Sequence, residues 1–172
     1  MAQVEKRTAP LPATFEWEYA PAPEARDIVR IRERYGLFVG GEEVEPRTQE
    51  WFSSISPATE EPLFEVALAG AEDVAHAVDT ARGAFENGWS SLAPSERAKY
   101  LFRLARLIQE RSRELAVAES LDGGKPIRES RDVDIPLAAA HFFYYAGWAD
   151  KLEYAFPNRS PRPLGVAAQI IP

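Results

Sequence analysis

Few residues in this chain are equipped for chemistry. Its 172 residues include no cysteine and only two histidines, so a thiolate nucleophile, a thiolate metal site and a disulfide framework are excluded within them. His76 and His141 lie far apart in helical patterns. His76 reads as a residue of a solvated face, and His141, among Ala138, Ala139, Ala140 and Phe142, as a satisfied interior histidine, because a general base needs a nucleophile within hydrogen-bond reach. GxGxxG, the phosphate-loop pattern GxxxxGK followed by Ser or Thr, HExxH and GxSxG are all missing. The common dinucleotide, mononucleotide, zinc-protease and serine-hydrolase signatures therefore fail.

Three clusters remain. Asp122-Gly123-Gly124-Lys125-Pro126 has glycines that expose backbone N–H groups and a lysine that adds charge, as a phosphate cradle would. Its spacing is wrong for a phosphate loop, and the pattern reads better as a helix stop followed by a proline start. Asp132 and Asp134, with Glu129 nearby, form a carboxylate group that reads as a solvated helix face with Arg128 and Arg131 as counter-charges. Phe142, Phe143, Tyr144, Tyr145 and Trp148 span more than one helix face, which predicts that part of the cluster is buried in a neighbouring domain or subunit. An acidic chain argues against a stacking platform for nucleic acid.

The elements that must position these residues follow from periodicity. Residues 35–44 hold two short apolar runs around Gly40-Gly41 and predict a β-hairpin. Residues 51–56 and 63–68 predict two further strands separated by a polar turn at Pro57 to Pro62. Val74, Ala77, Val78, Ala81 and Phe85 recur at helical steps and predict an amphipathic helix ending near Asn87-Gly88. A second helix starts near Pro94-Ser95, with Leu101, Leu104, Ala105, Ile108, Leu115, Ala118 and Leu121 on its buried side. It is expected to break around Arg111-Ser112-Arg113 and to end at Gly123-Gly124. Pro126 suits the first turn of another helix, and a longer apolar helix is expected from about Ile135-Pro136 to Leu152. Pro157, Pro161 and Pro163 interrupt the pattern before a final Val- and Ile-rich run, 165–172, that reads as a strand. A sheet of one strand cannot bury itself.

Composition narrows the classes. With 45% hydrophobic residues and a net charge of −7, the chain suits one globular unit or a piece of a larger one, and carries no basic stripe for nucleic acid. No apolar run reaches the roughly 20 residues of a membrane span, and the opening lacks a signal-peptide core. A cytoplasmic location is expected. Residues 1–34, with Pro10, Pro12, Pro21 and Pro23, read as an arm that packs on a partner or stays mobile.

From about Tyr35 onward the sequence resembles the amino-terminal part of the aldehyde dehydrogenase superfamily. The matching pieces come in family order: residues 37–42 resemble its opening hairpin, 56–61 its Asn-Pro-Ala-Thr-Gly-Glu turn, and 77–85 its AVxxAxxAF helix. Residues 119–126, 144–151 and 163–172 continue the series. The resemblance implies an incomplete α/β fold: β-hairpins, helices and the first strand of a Rossmann-like coenzyme domain, occupying 35–172 after the 1–34 arm. It implies an enzyme that oxidises an aldehyde to a carboxylic acid with NAD or NADP through a cysteine thioester, in which a glutamate activates water and an asparagine side chain stabilises the oxyanion. In the family those residues lie beyond the position of Pro172, the asparagine in a Trp-Asn-Phe-Pro motif just past it. No catalytic residue is therefore expected here, and the chain alone is expected to be inactive.

The resemblance places Ile170, Ile171 and Pro172 at the strand end facing the adenosine side of the cofactor, where core packing is an equal reading. It places Ser54 and Asp122 at a structural monovalent-cation site, with helix capping as the alternative for Asp122. Leu137 falls at a position lining the substrate tunnel in some members, where core packing is again an alternative. Ser56 and Glu60 replace the usual Asn and Gly of the turn, and residues 152–163 are shorter and richer in proline than the family's inter-subunit hairpin. The expected partners are the aldehyde and either further copies or the missing catalytic portion, with neither nucleic acid nor membrane. A stand-alone interaction module docking on a full-length relative is the rival reading.

Overall fold

The structure, a computed structural model, describes residues 24–171. Most of the expected arm, residues 1–23, and Pro172 lie outside the described residues. After a 3-10 turn at Arg26–Ile28, the strands are Arg34–Tyr35 (β1), Leu37–Val39 (β2), Glu42–Val44 (β3), Trp51–Ile55 (β4) and Pro62–Ala67 (β5). β2 and β3 form the expected hairpin, with Leu37 opposite Val44. Gly40 and Gly41 turn it at φ 67° and 91°, consecutive left-handed residues whose twist suits two antiparallel strands. The other sheet has the order β1-β5-β4, with β1 parallel to β5 and β4 antiparallel to it. The Arg34 guanidinium pairs with Glu65 across the parallel edge and stacks over the Trp51 ring.

The turn between β4 and β5 absorbs both of its departures from the family pattern, at different costs. Ser56 is buried, and its Oγ accepts the Thr59 N–H at 3.3 Å, the local side-chain bond an asparagine would otherwise make. Glu60 sits at φ 61°, a left-handed conformation that costs a residue with a Cβ about 1 kcal/mol relative to glycine.

The helices are Ala71–Glu86 (α1), Pro94–Glu110 (α2), Ser112–Gly123 (α3), Ile127–Glu129 (α4), Ile135–Trp148 (α5) and Leu152–Ala155 (α6). α1 is anchored by Asp73, 6% exposed, whose two carboxylate oxygens accept the Gly70 N–H at 2.9 Å and the Arg47 N–H at 3.1 Å. One side chain thus caps the helix and ties it to the turn before β4. The expected break between α2 and α3 falls at Arg111, whose guanidinium holds Glu114 at 2.6 Å. α3 stops at Gly124, φ 69°, where a Cβ would lie 2.8 Å from Pro57 Cβ. The glycine is required twice, for its backbone conformation and for the close approach of the 56–61 turn. A π-helical turn, Ser130–Asp134, leads into α5.

The most extensive contact between helices joins α2 to α5. Ala98 and Ala105 on α2, and Ala139 and Ala146 on α5, are buried. The seven-residue spacing on both helices makes a seam of small side chains. The buried apolar core among the described residues consists of these four, Ala67, Ala116 and Val117. Larger apolar residues expected inside are exposed: Val74 on α1 and Leu104 on α2 lie on faces with no covering element.

Two expected elements also need correction. The apolar helix ends at Trp148 rather than Leu152, and a separate turn, α6, follows. The final run forms no strand through Ile171, because a strand exists only through ladder bonds to a neighbour and none lies beside it.

Two substitutions test the turn and the helix stop in opposite directions. Gly124→Ala is expected to destabilise the fold by about 2 kcal/mol, from left-handed strain plus contact with Pro57. Glu60→Gly is expected to stabilise it by about 0.5–1 kcal/mol. Urea unfolding of both variants measures the pair, and equal midpoints would contradict both assignments.

Candidate functional site

Ser54 on β4 and Asp122 in the last turn of α3 are brought together: the Ser54 hydroxyl donates to Asp122 Oδ1. With the Pro57–Gly124 contact beside it, this bond fastens the sheet to the helical layer. The two side chains offer oxygens of the kind a hard monovalent cation takes. No cluster of three or more His, Cys, Asp or Glu residues gathers among the described residues.

The Asp-Gly-Gly-Lys-Pro segment is a helix end, as its spacing indicated. Lys125 is engaged by Asp134, Nζ to Oδ2 at 2.5 Å, and that carboxylate raises the ammonium's pKa above its ordinary value. Asp132 takes a forked pair of bonds from Arg131 at 2.6 and 2.8 Å, and Arg131 also reaches Glu24 at 3.1 Å. Asp132 and Asp134 are each matched by a cation, whereas Glu129 has no ion-pair partner among the described residues. The Glu24–Arg131 bond spans 107 positions and has no local sequence signal.

Because its alanines face α2, α5 turns its other face outward. Leu137 is 52% exposed, Tyr144 and Tyr145 are each 60% exposed, and Trp148 is also exposed. Phe142 and Phe143 are half-buried. Tyr144 contacts Tyr145 edge-on at 5.2 Å and Trp148 at 6.4 Å. His141, expected inside, is exposed and stacks on Tyr145 at 6.4 Å. Its position follows the aromatic stripe, not the alanine seam. Ile170 is 99% exposed and Ile171 is exposed too. Further back, Pro161, Pro163 and Gly165 border a cavity of about 320 Å³ with Phe85, Trp89 and Arg97. Leu137 and the isoleucines thus stand on open surfaces. Ile170 and Ile171 have no charged or hydrogen-bonding side chain; they suit contact with an apolar face of a cofactor and cannot by themselves hold its phosphates.

The ion pairs give a definite pH dependence. Glu43 is held below the usual carboxylate range by the Arg32 guanidinium and then by the Gly36 N–H. Glu114, Asp132 and Asp150 are lowered chiefly by Arg111, Arg131 and Lys151. A carboxylate with a depressed folded pKa binds fewer protons folded than unfolded, so its contribution is full above the unfolded value, about 4, and is lost as pH falls through the folded one. The melting temperature is expected to be flat from pH 8 to 5 and to drop below about pH 4.5, with Glu43→Gln shrinking that drop. A melting temperature that rises on acidification would contradict these assignments.

A family model described as the aldehyde dehydrogenase family matches residues 44–172. A probable aldehyde dehydrogenase of Streptomyces coelicolor is 39% identical over 165 residues, 89% of this chain and 31% of its own length. An acetaldehyde dehydrogenase of Pseudomonas aeruginosa is 38% identical over 162 residues, 90% of this chain and 32% of its own. Among solved structures, a variant of aldehyde dehydrogenase from Bacillus cereus superposes with a TM-score of 0.70 at 38% identity, covering 78% of this chain and 27% of that one. PnpE in complex with nicotinamide adenine dinucleotide gives 0.66 at 41% identity, covering 68% and 24%. The chain spans less than a third of the length of these relatives. With three-quarters of its residues matched by the family model, the chain belongs to the aldehyde dehydrogenase family.

Proposed function

We propose that these 172 residues are the amino-terminal segment of an NAD(P)-dependent aldehyde dehydrogenase that oxidises an aldehyde to a carboxylic acid, and that they perform none of its chemical steps. The observation that carries this is the collinear family match over residues 44–172 in a sequence without a cysteine. The reaction rests on a thiolate that attacks the aldehyde carbonyl, and no residue present can take that part. The bound dinucleotide supplies the hydride acceptor. The part assigned to this chain is to build one wall: Ile170, Ile171 and Pro172 meet the adenosine side of the cofactor, and Leu137 borders the substrate passage. Ser54 and Asp122 hold a structural monovalent cation, and residues 1–34 form an arm ahead of the coenzyme-binding unit. The relative solved with nicotinamide adenine dinucleotide and the outward face of α5 support the reading. A cytoplasmic homo-oligomer, or a pairing with the catalytic portion, goes with it.

The test is the intact mass of the protein from its native source together with NAD- or NADP-dependent aldehyde oxidation by the same sample. A mass near 50 kDa, about that of a multi-domain chain, with activity is the expected result. A mass of about 19 kDa with activity would overturn the assignment of the nucleophile to residues outside this chain.

A further inference from the structure

One surface runs against the charge of the rest. Along α2, Lys99, Arg103 and Arg106 form a cationic rim on a chain of net charge −7. Lys99 is bridged to Glu96 at 2.6 Å, whereas Arg103 and Arg106 have no ion-pair or hydrogen-bonded side-chain partner among the described residues. Beneath the rim lies an open groove of about 750 Å³ whose floor is Phe102, Leu107 and Phe143. The two phenylalanine rings pack at 6.1 Å with planes 47° apart, and Phe102 and Leu107 remain exposed. Glu110 closes the carboxyl-terminal end of the groove with the opposite charge.

We propose that this groove binds a small amphipathic organic carboxylate, one carboxylate group on an aromatic or alkyl body. Guanidinium forks match a carboxylate in two parallel bonds, and the offset rings supply a floor for a ring or short chain. The volume is that of a single-ligand pocket. Glu110 sets the orientation: it repels an anion, so the carboxylate lies toward Arg103 and Arg106 and the apolar body over Phe102 and Phe143. A free inorganic anion would use only the rim, and a neutral apolar compound only the floor. The groove is lined by α2 and α5 alone and uses none of the residues assigned above to the cofactor, the substrate passage or the cation.

Calorimetric titration of the native protein with 4-phenylbutyrate tests it, with 4-phenylbutanol and inorganic phosphate as comparisons. The expected result is saturable binding of the carboxylate that weakens with added salt, falls about tenfold or more in R103Q/R106Q, and is unchanged in R82Q, an exposed arginine on α1. Phe102→Ser is expected to weaken it as well, so a failure of the double variant to fold leaves a second reading of the same site. Absence of binding, equal affinity for 4-phenylbutanol, full displacement by equimolar phosphate, or unchanged affinity in both groove variants would each overturn the proposal.

Discussion

The alanine seam between α2 and α5 sets the terms for the rest of the molecule. Ala98 and Ala105 on α2 and Ala139 and Ala146 on α5 are all buried where the two helices make their most extensive contact, and side chains this small let two helix backbones approach with little apolar volume between them. A helix whose small residues are used on one side must put its large ones on another. On α5 the large ones are Leu137, Tyr144, Tyr145 and Trp148. The same seam aligns Phe102 with Phe143 at its edge and so builds the groove.

An amphipathic helix gains about 1.5–3 kcal/mol for each large apolar side chain taken out of water. Four such residues on α5, and Val74 on α1, have realised only part of that gain. Seven small residues make up the buried apolar core among the described residues, too little apolar area to offset the ordering entropy of a chain this size with much to spare. Polar bonds tie distant elements together: Asp73 at the start of α1, Ser54 to Asp122 between layers, and Arg131 to Glu24. A polypeptide covering α5 and α1 would supply the burial these faces are patterned for.

The local features of this fold were legible because their causes are local. Gly40-Gly41 announces the hairpin, the helical period announces α1 and α2, and Gly124 announces the end of α3 through a backbone conformation only glycine takes without strain. What could not be read depends on a neighbour. The run ending at Ile171 has strand composition and no partner, and composition alone makes no ladder. Placing His141 inside followed from its apolar neighbours, but of those only Ala139 is buried on the seam; Ala140 is exposed, and His141 shares the stripe of Tyr145. Ser54 and Asp122 were paired by family resemblance, and their bond across 68 positions has no signal in either segment. Phe102 and Phe143 lie on separate helices, so the groove between them has no linear pattern.

We propose that, in the working protein, polypeptide other than these 172 residues covers the outward face of α5, where Leu137, Tyr144, Tyr145 and Trp148 are exposed. Hydroxyl-radical footprinting of Tyr144, Tyr145 and Trp148, in the isolated chain and in the protein taken from its native source, tests it directly. The prediction is ready oxidation of all three in the isolated chain and strong protection in the native protein. Equal oxidation in both would contradict it.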